Sequence, residues 1–198
     1  GGVLLRVAAA DYYRVWCNGR HAGFGPARAA HGYARVDEWA LDEHLSGEAC
    51  HLAIEVVSYG IGSYAHDMPP PFVQAEVLTR GEVILATGGE GFSARPLPER
   101  VQKVERYSAQ RPFAEAYRLR ENSSDWRTHG FRAGPGHACE IVDQPVLLPR
   151  GVPYPTFTKH LRHAVIDSGP VRHRDPAPEV RRMSARDGVG PTRMGYPV

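Results

Sequence analysis

Tyr12, Tyr13, Trp16, Tyr33 and Trp39 crowd the opening of the chain, with Asp11, Arg28 and Asp37 between them. Aromatic rings hold sugars by their C–H faces while charged side chains meet the hydroxyls. On that chemistry Asp11, Trp16, Arg28, Tyr33 and Trp39 are the candidate carbohydrate-binding residues. The competing explanation is that the rings fill a core. Tyr13 and whatever shares its face are read that way. Trp16 points to the opposite face, where a sugar or a neighbouring domain could cover it.

Other reactive residues form weaker patterns. There are ten histidines, but a zinc site needs three or four ligands that converge. His160 with His163, and His137 with Cys139, have no evident partners, so no metal is expected. The GGEGF run at Gly88–Phe92 leads into Ser93-Ala94-Arg95-Pro96 and not into a helix, which makes it a turn and not a phosphate loop. No GxSxG nucleophile elbow occurs. Three cysteines, Cys17, Cys50 and Cys139, without CxxC spacing, exclude a disulfide framework while leaving one bridge open. Cys17 and Cys50 are read as buried structural thiols. Glycoside hydrolysis would need two opposed carboxyl groups, and 22 acidic residues supply too many pairs for sequence to choose one. No catalytic residue is assigned.

The elements that must position these groups are short. Tyr13, Val15 and Cys17 alternate with Tyr12, Arg14 and Trp16, a period of two that sends one set inward. Asn18-Gly19 supplies the positive φ angles of a type I′ turn, and Arg20–Phe24 returns as the partner strand, ended by Gly25-Pro26. Val3–Ala9, His51–Tyr59, Phe72–Leu78 and Glu82–Thr87 read as further strands, the last two joined at Thr79-Arg80-Gly81. Val101–Tyr107, Phe113–Leu119, Ile141–Leu148 and His163–Asp167 are weaker strand candidates. Glu38–Leu45, closing at Gly47, and Pro98–Arg106 invite short helices.

With 198 residues, 17 Pro, 21 Gly, 42% hydrophobic and 23% charged residues, the chain suits one β-rich globular domain. The expected fold class is an all-β jelly-roll β-sandwich with a Pro/Gly/Arg-rich C-terminal extension. The sandwich spans residues 1–150, and 151–198 form a linker or extension, partly disordered. A net charge of +2 gives no electrostatic reason for a nucleic-acid partner, and no 18-residue apolar run signals a membrane span. The opening GGVLLRVAAADYY carries no secretory signal, which tilts the expectation toward the cytoplasm.

The run ADYYRVWCNGRHAGFGPAR, then Tyr33 and Asp37, the Leu45-Ser46-Gly47 turn and LAIEVVSYG, together resemble one group of accessory domains. These are the galactose-binding-like jelly rolls in the N-terminal part of bacterial α-L-rhamnosidases, glycoside hydrolase family 78. The shared features fall on Ala10, Asp11, Tyr13, Asn18, Gly19, Gly25, Pro26, Leu45, Gly47, Tyr59 and Gly60. The pattern departs at Val36-Asp37-Glu38-Trp39 and at Glu48-Ala49-Cys50. The likeness is strong over about residues 3–120 and weaker from Trp126 to Gly169. Similar jelly rolls occur in β-galactosidase-like enzymes, and GFGPAR tilts the choice to the rhamnosidase group.

The resemblance implies that catalytic carboxylates belong to a separate (α/α)₆ barrel further along a longer protein. The chain is then expected to be a catalytically silent piece, lacking its first strand or two, that packs on that barrel or on carbohydrate. It implies no cofactor beyond calcium, which some relatives use with rhamnose. Here no dense Asp/Asn loop marks a calcium site. A missing strand would expose a sheet edge through which two copies could pair.

Overall fold

The structure, a computed structural model, describes residues 2–45, 50–59, 70–89, 91–101, 115–119, 121, 124–128, 136–137, 139–143, 145–156, 158, 163–165 and 169. Eight strands occur among them: β1 Val3–Ala10, β2 Tyr12–Cys17, β3 Arg20–Gly25, β4 Tyr33–Ala40, β5 Leu52–Val57, β6 Phe72–Thr79, β7 Glu82–Ala86 and β8 Val146–Pro149. Among the described residues helix is limited to two 3₁₀ turns, Asp42–His44 and Asp125–Arg127. The molecule is all-β, as expected. No helix among the described residues is long and apolar enough to cross a membrane.

The strands form a five-stranded sheet in the order β7-β6-β1-β4-β8 and a three-stranded sheet in the order β3-β2-β5. All pairings are antiparallel except β4 with β8. Both hairpins close on two residues of positive φ, Asn18 and Gly19 in the first, Arg80 and Gly81 in the second. That conformation matches the right-handed twist of the strands.

Alternation decides what each strand buries. Leu5 and Val7 of β1, Ala75 and Val77 of β6, and Trp39 of β4 meet Tyr13, Val15 and Cys17 of β2 in one core. Leu52, Ile54 and Val56 pack on its margin. Two glycines of β3 make room across the gap. A Cβ at Gly23 would lie 2.6 Å from the Trp39 ring, and one at Gly25 would collide with the Asp37 carboxylate.

The helix expected at Glu38–Leu45 is not formed. Asp37 and Trp39 are buried while Glu38 and Ala40 are exposed, a period of two, and β1 pairs with β4 through Leu4 and Ala40. Only Asp42–His44 coils, for a single turn. The strand expected at Ile141–Leu148 is shorter and displaced, because only Val146–Pro149 run beside β4, with Tyr33 opposite Val146. Residues 163–165 are not strand. Gly47, Gly60, most of Val101–Tyr107 and Pro98–Arg106, Phe113–Ala114, Ile166–Asp167 and residues 170–198 lie outside the described residues.

By its backbone contacts the chain divides into two compact units. One comprises Gly1–Gly60, Pro69–Leu97 and Arg120–Pro153 and contains both sheets. The other comprises Ile61–Met68, Pro98–Leu119 and Tyr154–Val198. In the second, Arg100 and Tyr117 form an antiparallel bridge. Val101 N–H donates to Ala116 O at 2.9 Å, and Arg118 N–H to Glu99 O at 2.8 Å.

Candidate functional site

Inside the first unit a polar chain threads the apolar core. The Tyr13 hydroxyl hydrogen-bonds to Asp37 Oδ2. Trp39 Nε1–H donates to the same hydroxyl at 2.9 Å, and Arg150 donates to Asp37 Oδ1 at 2.7 Å. Asp37 is fully buried, and a buried carboxylate is tolerable only when paired and hydrogen-bonded. Arg150 comes from just beyond β8, so this ion pair fastens a late segment to strands formed near the start. The Asp37 carboxylate thus joins β2 and β4 to the segment after β8.

On the outer face of the three-stranded sheet a second cluster forms. Trp16 stands edge-on to His21 at 6.0 Å, its cross-strand partner, and to Trp126 at 5.3 Å. Trp126 and Arg127 belong to the Asp125–Arg127 turn. The Arg127 guanidinium lies 4.4 Å from the Trp16 ring centre and 4.9 Å from that of Trp126, within cation–π range. His51 Nε2 meets Trp126 O at 2.8 Å. Arg14 pairs with the nearly buried Glu55 at 3.7 Å and stands over Tyr12. Tyr12 in turn meets Tyr59 at 5.8 Å. Partial desolvation of the otherwise exposed His21 ring lowers its pKa, and the neighbouring Arg14 and His44 add to the effect.

The structure separates the sequence-derived candidates. Asp11 accepts a 2.6 Å hydrogen bond from the Tyr59 amide and donates its own to Val57 O, tying β2 to the end of β5. Trp16 is buried beneath Trp126 and Arg127 of its own unit. Trp39 is buried on the other side of the sheet, within the core. Tyr33 is exposed at the head of β4. Arg28 is exposed on the connection before it, where the Tyr33 amide donates to Ala30 O. Trp16 and Trp39 therefore face opposite ways, and the five residues do not converge.

Arg150, Trp126, Arg127 and His51 complete these clusters and escaped the sequence reading. Their partners are distant along the chain, and no local spacing signals them. Among the described residues no three His, Cys, Asp or Glu side chains come together to hold a metal. Among the described residues the buried acids are Asp37, between the sheets and hydrogen-bonded to Arg150, and Glu55, on the outer face with Arg14 at 3.7 Å.

No protein-family model matches the chain, and no curated protein matches it. Among solved structures it is similar to a GH78-family rhamnosidase of Bacillus sp. GL1, with a TM-score of 0.64 and 22% identity. That match covers 78% of this chain and 17% of the rhamnosidase. The likeness is one of fold, and the chain spans a small part of the length of that enzyme.

Proposed function

We propose that this chain is a non-catalytic β-sandwich of an α-L-rhamnosidase-like glycoside hydrolase, packing on or assisting a catalytic barrel carried elsewhere in a longer protein. The observation that carries this reading is the fold match, which takes in most of this chain and only 17% of the rhamnosidase.

A packing role also suits β7. Among the described residues this strand forms one edge of the five-stranded sheet, and Val83, Ile84 and Leu85 are all exposed. Since neighbouring residues of a strand point to opposite faces, apolar side chains are presented on both sides of that edge. Such a strand is suited to cover by another domain or by a second copy. Sedimentation of the isolated chain is expected to show association, weakened by Ile84→Lys.

The decisive assay is hydrolysis of an aryl α-L-rhamnoside by the purified chain. No turnover above background is expected, and turnover at enzymatic rates would overturn the proposal. A second reading, a carbohydrate-binding module, draws on the exposure of Tyr33 and Arg28 along one connection. Titration calorimetry with L-rhamnose, with and without calcium, separates the two. Heat that saturates and is lost in Tyr33→Ala supports the module, and no heat at millimolar sugar rejects it.

A further inference from the structure

Cys17 and Cys50 are far apart in sequence, yet their sulfurs lie 2.8 Å apart. The register explains the meeting. Cys17 closes β2 opposite Leu52 of β5, and the pairing continues outward: Asn18 N–H donates to His51 O at 2.8 Å, and His51 N–H to Asn18 Oδ1 at 2.9 Å. Cys50 is two residues before Leu52, so the period of two returns it to the face that carries Cys17, diagonally across the ladder. Cys17 is fully buried and Cys50 is exposed. Of the two thiols expected to be buried, Cys17 is buried and Cys50 is not. A disulfide bond is about 2.05 Å long, so a small rotation of the exposed side chain brings the sulfurs into bonding distance.

We propose that Cys17 and Cys50 are a redox-active dithiol that closes to a disulfide, with a low-molecular-weight disulfide such as glutathione disulfide as oxidant, and that this bond clamps the hairpin end of β2 to the start of β5. The exposed Cys50 sulfur, as thiolate, attacks one sulfur of the oxidant. The S–S bond of the oxidant breaks, and one glutathione thiolate leaves. Cys17 then loses its proton and attacks the Cys50 sulfur, expelling the second glutathione thiolate. The protein gives up two electrons and two protons, and the oxidant becomes two glutathione thiols.

Access and acidity agree on that order. Burial, followed by the hydrogen bond and charge of Cys50, pushes the Cys17 thiol up to about 12, with Arg20 acting weakly in the opposite sense. Cys17 is thus poorly suited to open the exchange and is held where it can complete it. The bond would close a ring through β3 and β4, removing loop entropy from the unfolded chain. Cys139 is exposed, and its thiol meets the His137 carbonyl oxygen at 3.7 Å, which makes it an internal control.

The test is to equilibrate the full chain with glutathione disulfide, trap free thiols with N-ethylmaleimide after denaturation, and read intact mass and peptide map. A Cys17–Cys50 linked peptide is expected, together with a melting temperature roughly 10 °C above that of the dithiol form. Cys17→Ser should leave a lasting glutathione adduct on Cys50, because no second thiol resolves it. Cys50→Ser should leave Cys17 free, and being a change at an exposed site it should still fold. Three trapped thiols under oxidising conditions, a persistent Cys50 adduct in the wild-type chain, or a bridged form that melts no higher would each overturn the proposal.

Discussion

Removing the Arg150 side chain strands a charge in the centre of the sandwich. Asp37 is fully buried, and Arg150 is its ion-pair partner at 2.7 Å. In Arg150→Ala the carboxylate keeps the Tyr13 hydroxyl and loses its counter-charge. Breaking a buried pair in this way costs about 3–5 kcal/mol, or roughly 6–20 °C in melting temperature for a chain of this size. The contrast is Arg6, which bridges Glu38 at 2.8 Å and Glu76 at 3.2 Å on the solvent side of β1. An exposed pair is screened by solvent and contributes little, so Arg6→Ala should lower the melting temperature by only a few degrees.

The double change Asp37→Leu with Arg150→Met should recover most of the loss, because no lone charge remains. Thermal unfolding followed by circular dichroism measures all four proteins, and hydrogen exchange at Val146–Leu148 reports whether β8 loosens first. If Arg150→Ala melted no lower than Arg6→Ala, the assignment of Asp37 and Arg150 as a buried staple would be wrong.

Three further outcomes follow from the same geometry. Gly25→Ala pushes a methyl group into the Asp37 carboxylate and within 2.7 Å of the Tyr13 hydroxyl, and a loss of about 1–3 kcal/mol or more should appear in urea unfolding. The pKa of His21 is lowered in the folded chain, so the unfolded state binds more protons below the ordinary histidine range. Stability should therefore fall as pH drops through about 6.5 toward the lower folded value, and melting curves of His21→Phe should lose part of that dependence. Trp126→Ala uncovers Trp16 and should destabilise by about 1–3 kcal/mol, with iodide quenching of the remaining tryptophan fluorescence rising and unchanged quenching counting against the packing.

Much of the sheet scaffold is local physics. Alternation in Tyr12–Cys17 and Leu52–Val57 determines which side chains share a face, and positive φ at Asn18-Gly19 and Arg80-Gly81 determines where the strands turn back. These were legible because neighbours along the chain carry the whole signal. At Glu38–Leu45 local helix propensity was outweighed by pairing with β1, a contact that no short window contains.

The sequence alone determined the all-β class and both turns, since each rests on residues close together in the chain. Only tertiary structure decided that Trp39 and Trp16 lie on opposite sides of a sheet, that Asp37 meets Arg150, and that Cys17 meets Cys50. Each of those depends on register between distant strands, and a one-residue slip in register would reverse which face every side chain occupies.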